Sequence, residues 1–367
     1  MVSRLKAAYA DPASADSSAQ PGSGRRLSRQ EAAILYHQAD LFTLGALAHT
    51  ARLALHPKAV VTYVADRNIN YSNICVCGCR FCAFYRPPGH PEGFVLSREE
   101  LDRKLSETLS LGGNQILLQG GHNPELPLDF YEQMLAWMRR SYPDIHIHAF
   151  SPPEILFFAQ MEGLDVDTVL SRLMAAGLSS IPGGGAEILV SRVRRKVSPR
   201  KCPAGAWLDV MDKAHRLGLK TTATMMFGHE EDDQERLDHL FAIRDQQDAT
   251  GGFTAFIPWT FQPDNTALRR PPETAQAYLR MLAVSRLALD NVPNLQVSWV
   301  TMGPQLAQLA LFFGANDFGS LMIEENVVAA AGVSFRLNRR QIRRIIRQAG
   351  FIPRRRLMDY TLVEGDA

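Results

Sequence analysis

The sequence predicts an α/β protein whose main body is a TIM-type (βα) barrel, with helices before it and a helical extension after it. Three observations predict this fold. The chain has 367 residues, of which 46% are hydrophobic, so it can bury a large core. From residue 59 onward, short apolar or β-branched runs alternate with longer helical patterns, as in parallel sheets with crossover helices. The alternation repeats about eight times, which favours a closed barrel, although periodicity alone does not exclude a doubly wound open sheet.

The predicted strands are short runs rich in Val, Ile, Thr or aromatic residues. Capping signals mark the helices, since Ser97 with Glu100 and Ser151 with Glu154 have the spacing of capping boxes. Another helix is predicted over residues 271–290, where two prolines precede an apolar periodic run. The strand predictions cover residues 59–65, 114–119, 144–149, 178–181, 220–226, 253–257, 295–299 and 315–318.

Three segments flank the predicted barrel, which occupies residues 59–325. Residues 1–27 are rich in Ala, Ser, Pro and Gly and predict a disordered leader, with an organelle transit peptide as the alternative. Residues 28–58 predict one or two helices. Residues 326–367 predict a C-terminal extension with a basic amphipathic helix at 338–350. That helix is typical of a solvated face, and contact with RNA or an anionic membrane is the alternative function.

The charge balance indicates a small-molecule partner. The chain carries 40 Lys and Arg against 38 Asp and Glu, a formal charge of +2, which provides no basic field for nucleic acid. No run of about 18 uninterrupted apolar residues is present, so no membrane span is expected. With no apolar stretch typical of a secretory signal, the sequence predicts a cytoplasmic protein.

Cysteine usage is the most informative feature. Four of the five cysteines, Cys75, Cys77, Cys79 and Cys82, lie within eight residues after the first strand, whereas a disulfide framework would spread them. The spacing Cys75-x3-Cys79-x2-Cys82 supplies three thiolates from one loop, which would leave one iron of a four-iron cluster open. A zinc site or a four-thiolate electron-transfer cluster is the alternative, although the spacing is unlike either pattern. Cys202 is predicted to be a small half-buried residue.

The cysteine loop resembles the signature of the radical S-adenosylmethionine (SAM) enzymes, in which an aromatic residue, here Phe81, precedes the last cysteine. This resemblance implies a 4Fe-4S cluster held by Cys75, Cys79 and Cys82, whose open iron chelates SAM. It also implies reductive cleavage of SAM to a 5'-deoxyadenosyl radical, with electrons from a donor such as flavodoxin or ferredoxin. Cys77 stands at a variable position of the signature and is expected to be a bystander.

Other segments resemble the SAM-binding elements of the same family. Gln119, Gly120 and Gly121 end the second strand, where the family has a Gly-Gly-acid element that meets the SAM amine, but His122 replaces the acid here. Met226 lies in a segment that resembles the family's adenine contact, and an ordinary strand end is its alternative interpretation. Glu187 follows a glycine run and is expected to reach the SAM ribose or the substrate.

A narrower resemblance extends over about residues 30–355. The cysteine loop, residues 256–263 and residues 298–301 resemble the dehypoxanthine futalosine cyclases of the futalosine route to menaquinone. This resemblance implies dehypoxanthine futalosine as the small-molecule substrate. It also implies hydrogen abstraction at sugar C4', attack on the benzoate ring and rearomatisation. Aminofutalosine synthases and the tyrosine-using F0 synthase subunits share the cluster loop and remain the alternative.

That reaction needs a base and substrate contacts. Alternation in residues 145–148 places His146 and His148 on one strand face, so His148 is the first candidate base, with Asp264 and Glu187 as competitors. Arg67 is a candidate for the benzoate, or else part of a surface ion pair. The remaining predicted substrate contacts are Trp259 and Gln262.

Overall fold

Parallel strands alternating with helices make up most of the chain. The fold is that of a computed structural model, which describes residues 26–364. The strands are β1 Val60–Val64, β2 Asp66–Asn70, β3 Gln115–Gln119, β4 His146–Ala149, β5 Ser180–Ile181, β6 Lys220–Phe227, β7 Phe253–Thr260, β8 Asn294–Leu295, β9 Asp317–Ser320 and β10 Ile352–Arg355. The helices are α1 Arg29–Gln38, α2 Leu41–Leu55, α3 Arg98–Ser110, α4 Leu128–Ser141, α5 Pro152–Glu162, α6 Val166–Ala176, α7 Ser191–Val197, α8 Ala204–Arg216, α9 Asp233–Thr250, α10 Ala275–Ala288, α11 Trp299–Met302, α12 Pro304–Ala310 and α13 Arg339–Gln348.

The strands form two ladders that share one continuous stretch of chain. Strands β2 to β8 pair in chain order and all in parallel, as successive βα units require. Strand β1 lies between β9 and β10 in the second ladder, and only Ala65 separates it from β2. The stretch from β1 to β2 therefore belongs to both ladders.

Strand β9 closes the barrel between the last strand and the first. Gln296, just after β8, forms a parallel bridge with Asp317 of β9. On the other side, the amide of Leu321 donates to the Val64 carbonyl at 2.9 Å, and the Ile323 amide donates to the Asp66 carbonyl at 3.2 Å. The predicted barrel is thus confirmed in preference to an open sheet.

The C-terminal strand β10 adds to the N-terminal half of the shared stretch. Its Ile352 lies opposite Val60 of β1. Arg356 follows β10 directly and is 3% exposed. Its guanidinium contacts the buried carboxylate of Asp317. The same carboxylate accepts a hydrogen bond from the Thr62 hydroxyl at 2.6 Å. One buried ion pair therefore joins the segments around β1, β9 and β10.

The structure corrects two of the sequence-based element boundaries. Residues 66–70, expected in the loop after the first strand, form β2. The strand expected at 295–299 is limited to Asn294–Leu295, and Trp299 already begins the short helix α11. The C-terminal extension contains a strand as well as the expected helix, because the edge of β1 has free backbone groups that β10 can pair with.

The predicted helix starts agree with the structure. Ser97 and Ser151 both complete capping boxes, at α3 and α5. Two helices cover residues 29–55, as expected. Residues 1–25 of the predicted leader lie outside the described residues. Its last two residues are packed against the protein, since Leu27 is 1% exposed and the Arg26 guanidinium donates to Asp290 at 2.7 Å. In the part of the chain that is described, no helix has both the length and the apolarity needed to cross a bilayer.

The ion pair at the barrel closure gives a stability prediction. Arg356→Met keeps most of the side-chain volume but leaves the Asp317 carboxylate buried without its cation, so the free energy of unfolding should fall by about 3–5 kcal/mol. Urea denaturation followed by tryptophan fluorescence measures this change. Arg354→Met, on the half-buried part of β10, is the matched control and should change stability by no more than about 0.5 kcal/mol. Equal losses in the two variants would contradict the role assigned to the pair.

Candidate active site

A cavity of about 280 Å³ occupies the interior of the barrel. Barrel interiors are usually filled with branched apolar side chains. Here many inward positions of the first strands are polar instead, and several of these side chains are almost fully buried. The polar groups that line the cavity on β2, β3 and β4 are Asp66, Asn68, Gln115, Gln119 and His148.

Two of these side chains have an acceptor atom that lacks a partner. Asn68 Oδ1 and Gln115 Oε1 are buried and make no hydrogen bond among the described residues. Leaving a buried acceptor unpaired costs about 1–3 kcal/mol. The cavity therefore presents acceptors to a ligand that carries O–H or N–H groups.

The four clustered cysteines lie on the loop between β2 and α3. Cys77 and Cys79 are buried, Cys75 and Cys82 are half-buried, and all four are free thiols. The loop backbone is fixed by neighbouring segments, since the Val76 amide donates to the His122 carbonyl at 3.1 Å and the Arg80 amide donates to the Val197 carbonyl at 2.8 Å. The loop is therefore a rigid source of thiols at the carboxyl ends of the strands.

Burial decides the proton affinity of two of these thiols, those of Cys79 and Cys82. It raises the pKa of Cys79 to about 12 and also raises the pKa of Cys82. A hydrogen bond with Cys77 lowers the pKa of Cys75 to about 6. Lys201 lies beside the loop, with its Nζ 5.1 Å from the centre of the Phe81 ring. Cys79 and Cys82 thus need a nearby positive charge to ionise, and Lys201 favours their thiolate forms.

The donor set fits an iron–sulfur cluster. Within residues 26–364, no three His, Cys, Asp or Glu side chains converge closely enough to bind a single metal ion. A 4Fe-4S cluster has a different requirement, because its thiolate ligands bind separate irons and therefore stand apart. Cys75, Cys79 and Cys82 are free thiols on one loop beside Lys201, so the donor set has the chemistry that such a cluster needs.

Cys77 has a different environment from the other three cysteines. Its Sγ lies 3.1 Å from Nδ1 of His122, and its side chain is 2% exposed. Burial lowers the pKa of His122 to about 3, so the imidazole is neutral. His122 also packs on Phe157, with ring centres 4.9 Å apart. The neutral imidazole of His122 thus stands where the radical SAM signature that this sequence resembles has a carboxylate. The bystander role of Cys77 stays a prediction.

The glycine pair brings the end of β3 against the cysteine loop. A Cβ on Gly121 would lie 2.1 Å from the Ile74 carbonyl oxygen, and one on Gly120 would lie 2.4 Å from the Tyr71 ring. Glu154 anchors this contact, because it accepts from the Gly120 amide at 3.0 Å and from the Tyr71 hydroxyl at 2.7 Å. Only glycine permits this approach, which leaves the backbone after Gln119 next to the thiols.

Glu187 connects the cavity with the cysteine loop. Its carboxylate lines the cavity and accepts from Lys201 at 3.0 Å and from Arg194 at 3.3 Å. Burial alone would raise its pKa, but the two cations hold the pKa below its usual range. Glu187 is therefore ionised and firmly held, which suits a hydrogen-bond acceptor better than a mobile base.

His148 lies in the cavity wall with a hydroxyl partner. It is 5% exposed, and its Nδ1 is 2.7 Å from the Ser180 hydroxyl. Complete burial, reinforced by nearby His146 and Arg356, sets its pKa well below the usual value. The imidazole is therefore neutral and only weakly basic.

The structure brings only some of the predicted residues to the cavity. Of the predicted catalytic and substrate contacts, Trp259, His148 and Glu187 line it. Asp264 is exposed, and Gln262 folds back onto the Thr260 hydroxyl at 3.0 Å. Met226 is 1% exposed, and its amide donates to the Glu187 carbonyl.

Arg67 lies outside the barrel because it alternates with the inward residues of β2. Its guanidinium is 2.9 Å from Glu107 and 3.2 Å from Glu324. The structure therefore contains the ion pair that was the alternative interpretation of Arg67, although the Arg67 side chain is buried and not on the surface. The same alternation identifies Asp66 and Asn68 as inward residues, and sequence reasoning missed both because residues 66–70 were assigned to a loop.

Comparisons with known proteins agree with this geometry. Residues 69–243 match the family model of the radical SAM superfamily, and residues 250–365 match that of the CofH/MqnC C-terminal region. The chain is 46% identical over 341 residues to the cyclic dehypoxanthine futalosine synthase of Halalkalibacterium halodurans, covering 93% of this chain and 92% of that protein. It is 43% identical to the Streptomyces coelicolor protein of the same name, covering 92% of this chain and 86% of that protein.

Among solved structures, methylornithine synthase has a similar fold. Its TM-score is 0.71 at 17% sequence identity, and the match covers 90% of this chain and 95% of that one. At this identity the likeness concerns the fold alone.

The cysteine spacing gives a ligation prediction. Replacement of Cys75, Cys79 or Cys82 by Ala should abolish the cluster after anaerobic reconstitution, because each removes the thiolate of one iron. Cys77→Ala is the matched control from the same loop and should retain iron and sulfide. Iron and sulfide analysis measures the outcome. Loss of the cluster in Cys77→Ala together with retention in Cys79→Ala would refute the assignment.

Proposed function

The chain belongs to the radical SAM superfamily, and we propose that it converts dehypoxanthine futalosine to its cyclic form on the route to menaquinone. The match to two relatives named cyclic dehypoxanthine futalosine synthase, over more than nine tenths of this chain, supports this substrate. The observation that carries the proposal is the polar cavity inside the barrel, which adjoins a loop of clustered thiols.

The cofactors are a 4Fe-4S cluster and SAM. Cys75, Cys79 and Cys82 would hold the cluster, and the backbone at Gly120 and Gly121 lies close enough to the loop to meet the SAM methionine moiety. When bound, the cluster and SAM would together supply one-electron cleavage of SAM and a 5'-deoxyadenosyl radical that abstracts hydrogen. Phe81 and Met226 would pack on SAM, with Gln119 at the cavity rim. A flavodoxin or ferredoxin is the proposed electron donor.

The substrate fits the two kinds of surface that the cavity offers. Dehypoxanthine futalosine has a ribose-like ring at one end and a benzoate at the other. The free acceptor of Asn68 suits a sugar hydroxyl. Trp259, Trp299 and Val300 form an apolar wall that suits the arene.

His148 is the proposed base for rearomatisation. After the sugar radical adds to the ring, the ring must lose one proton and one electron, and a one-electron redox partner takes the electron. His148 is neutral and lines the cavity, whereas Glu187 is held by two cations and Asp264 is exposed. A weak base is sufficient here, because loss of this proton restores aromaticity.

Isotope labelling tests the proposed function directly. The reduced, reconstituted protein should convert dehypoxanthine futalosine to a product lighter by two hydrogens, with release of methionine and 5'-deoxyadenosine. Deuterium at sugar C4' should appear in the 5'-deoxyadenosine, because the 5'-deoxyadenosyl radical abstracts that atom. Mass spectrometry of both products makes the measurement, with Cys79→Ala as the control that should form neither.

Two outcomes would contradict the proposal. Deuterium retained in the cyclised product would exclude C4' as the site of abstraction. Turnover only with tyrosine and a flavin precursor would identify a tyrosine-using F0 synthase subunit and would leave membership of the superfamily intact.

A further inference from the structure

The histidines of β4 are joined by one serine hydroxyl. Ser180 of β5 lies directly opposite His148 in the parallel ladder. Its Oγ is 2.7 Å from His148 Nδ1 and 2.6 Å from His146 Nε2. Ser180 is fully buried, so its hydroxyl is confined between the two imidazoles.

The two histidines face different cavities. His148 lines the central cavity, while His146 lines a second cavity of about 240 Å³ with Asn114, Arg139 and Asp144. The second cavity lies where β3 and β4 begin, which is the end of the barrel opposite the cysteine loop. Gln115 and Met358 line both cavities and separate them. The pair of histidines therefore spans the barrier between the barrel interior and the outer cavity.

We propose that His148, Ser180 and His146 form a proton relay that carries the proton released on rearomatisation from the barrel interior to solvent at the far end of the barrel. This inference rests on the proposed function, which supplies the proton and requires its removal. Ser180 and His146 are thereby assigned a part in the reaction that no motif in the sequence indicates.

The relay moves one proton through three hydrogen-bonded groups. His148 Nε2 accepts the ring proton while His148 Nδ1 passes its own to Ser180 Oγ. The Ser180 hydroxyl passes its proton to His146 Nε2, and His146 Nδ1 releases one to water. One proton enters and one leaves, with no change in electron count. When the product departs and water enters the cavity, exchange through water restores the starting tautomers.

The surroundings of the two imidazoles favour transfer outward. Burial lowers the pKa of both, so neither retains the proton. Around His148 stand His146 and Arg356, and Arg356 disfavours an imidazolium there. Around His146, Asp359 favours the charged form and Arg139 opposes it. The acidic groups Asp144 and Asp359 thus lie on the exit side.

The test separates hydrogen abstraction from ring closure. In Ser180→Ala, SAM should still be cleaved when substrate is present, because abstraction precedes deprotonation. The amount of cyclised product formed per SAM cleaved should fall by about a hundredfold or more, the lower end of what a positioned proton-transfer group contributes. We call this ratio of cyclised product to cleaved SAM the coupling. His148→Gln and His146→Gln should lower the coupling in the same way. Ser180→Thr restores a hydroxyl and should recover the coupling.

A matched control comes from another buried histidine. His215 also bonds two hydroxyls, those of Thr250 at 2.6 Å and Thr221 at 2.7 Å, but it does not line the central cavity. His215→Gln should keep wild-type coupling. Deuterium on the substrate ring provides a second readout, because the base removes that atom, and its isotope effect on product formation should grow in Ser180→Ala relative to wild type.

Each outcome has a distinct meaning. Wild-type coupling in Ser180→Ala with loss in His148→Gln would overturn the relay and leave His148 as the base. Wild-type coupling in both would overturn the base and the relay while the proposed function stands. Failure of the wild-type protein to form cyclised product would overturn the proposed function itself. Lack of recovery in Ser180→Thr, with its iron content intact, would also count against the relay.

Discussion

The buried ion pair between Arg356 and Asp317 is the interaction on which the geometry of the cavity depends. Asp317 begins β9, the strand that closes the barrel, and Arg356 follows β10, which pairs with β1. A charge buried without a partner is costly, so the pair holds both chain segments in place. Closure in turn forces every second residue of β2, β3 and β4 into one shared interior. The side chains that face the ligand follow from this constraint.

That interior departs from an ordinary packed barrel in a way that has an energetic cost. Burial raises the pKa of Asp66 to about 6, and the acceptors of Asn68 and Gln115 have no partner among the described residues. Such groups destabilise a protein unless a ligand pairs with them. At the other end of the cavity, Lys201 bonds Glu187 and also lies over Phe81 of the cysteine loop. The polar interior and the thiol loop are thus electrostatically connected through one buried cation.

Local signals in the sequence were sufficient for much of the fold and for the thiols. Capping at Ser97 and Ser151 depends on neighbouring residues, and so does the cysteine spacing. Alternation also placed His146 and His148 on one face, and both contact Ser180. What local patterns could not supply was pairing over long separations. The strand β10, and the contact of Lys201 with Glu187 and Phe81, depend on where distant segments meet. The two interpretations of Arg67 stayed open for a related reason, since the direction of a side chain is undefined until its segment is known to be a strand.

The central claim is that the barrel holds dehypoxanthine futalosine between the thiol loop and His148. The most direct measurement is a crystal structure of the anaerobically reconstituted protein with SAM and this substrate. We expect iron bonded to Cys75, Cys79 and Cys82, the arene against Trp259, and His148 within hydrogen-bond reach of the ring. A substrate bound outside the barrel, or a cluster with Cys77 as a fourth protein ligand, would refute this arrangement.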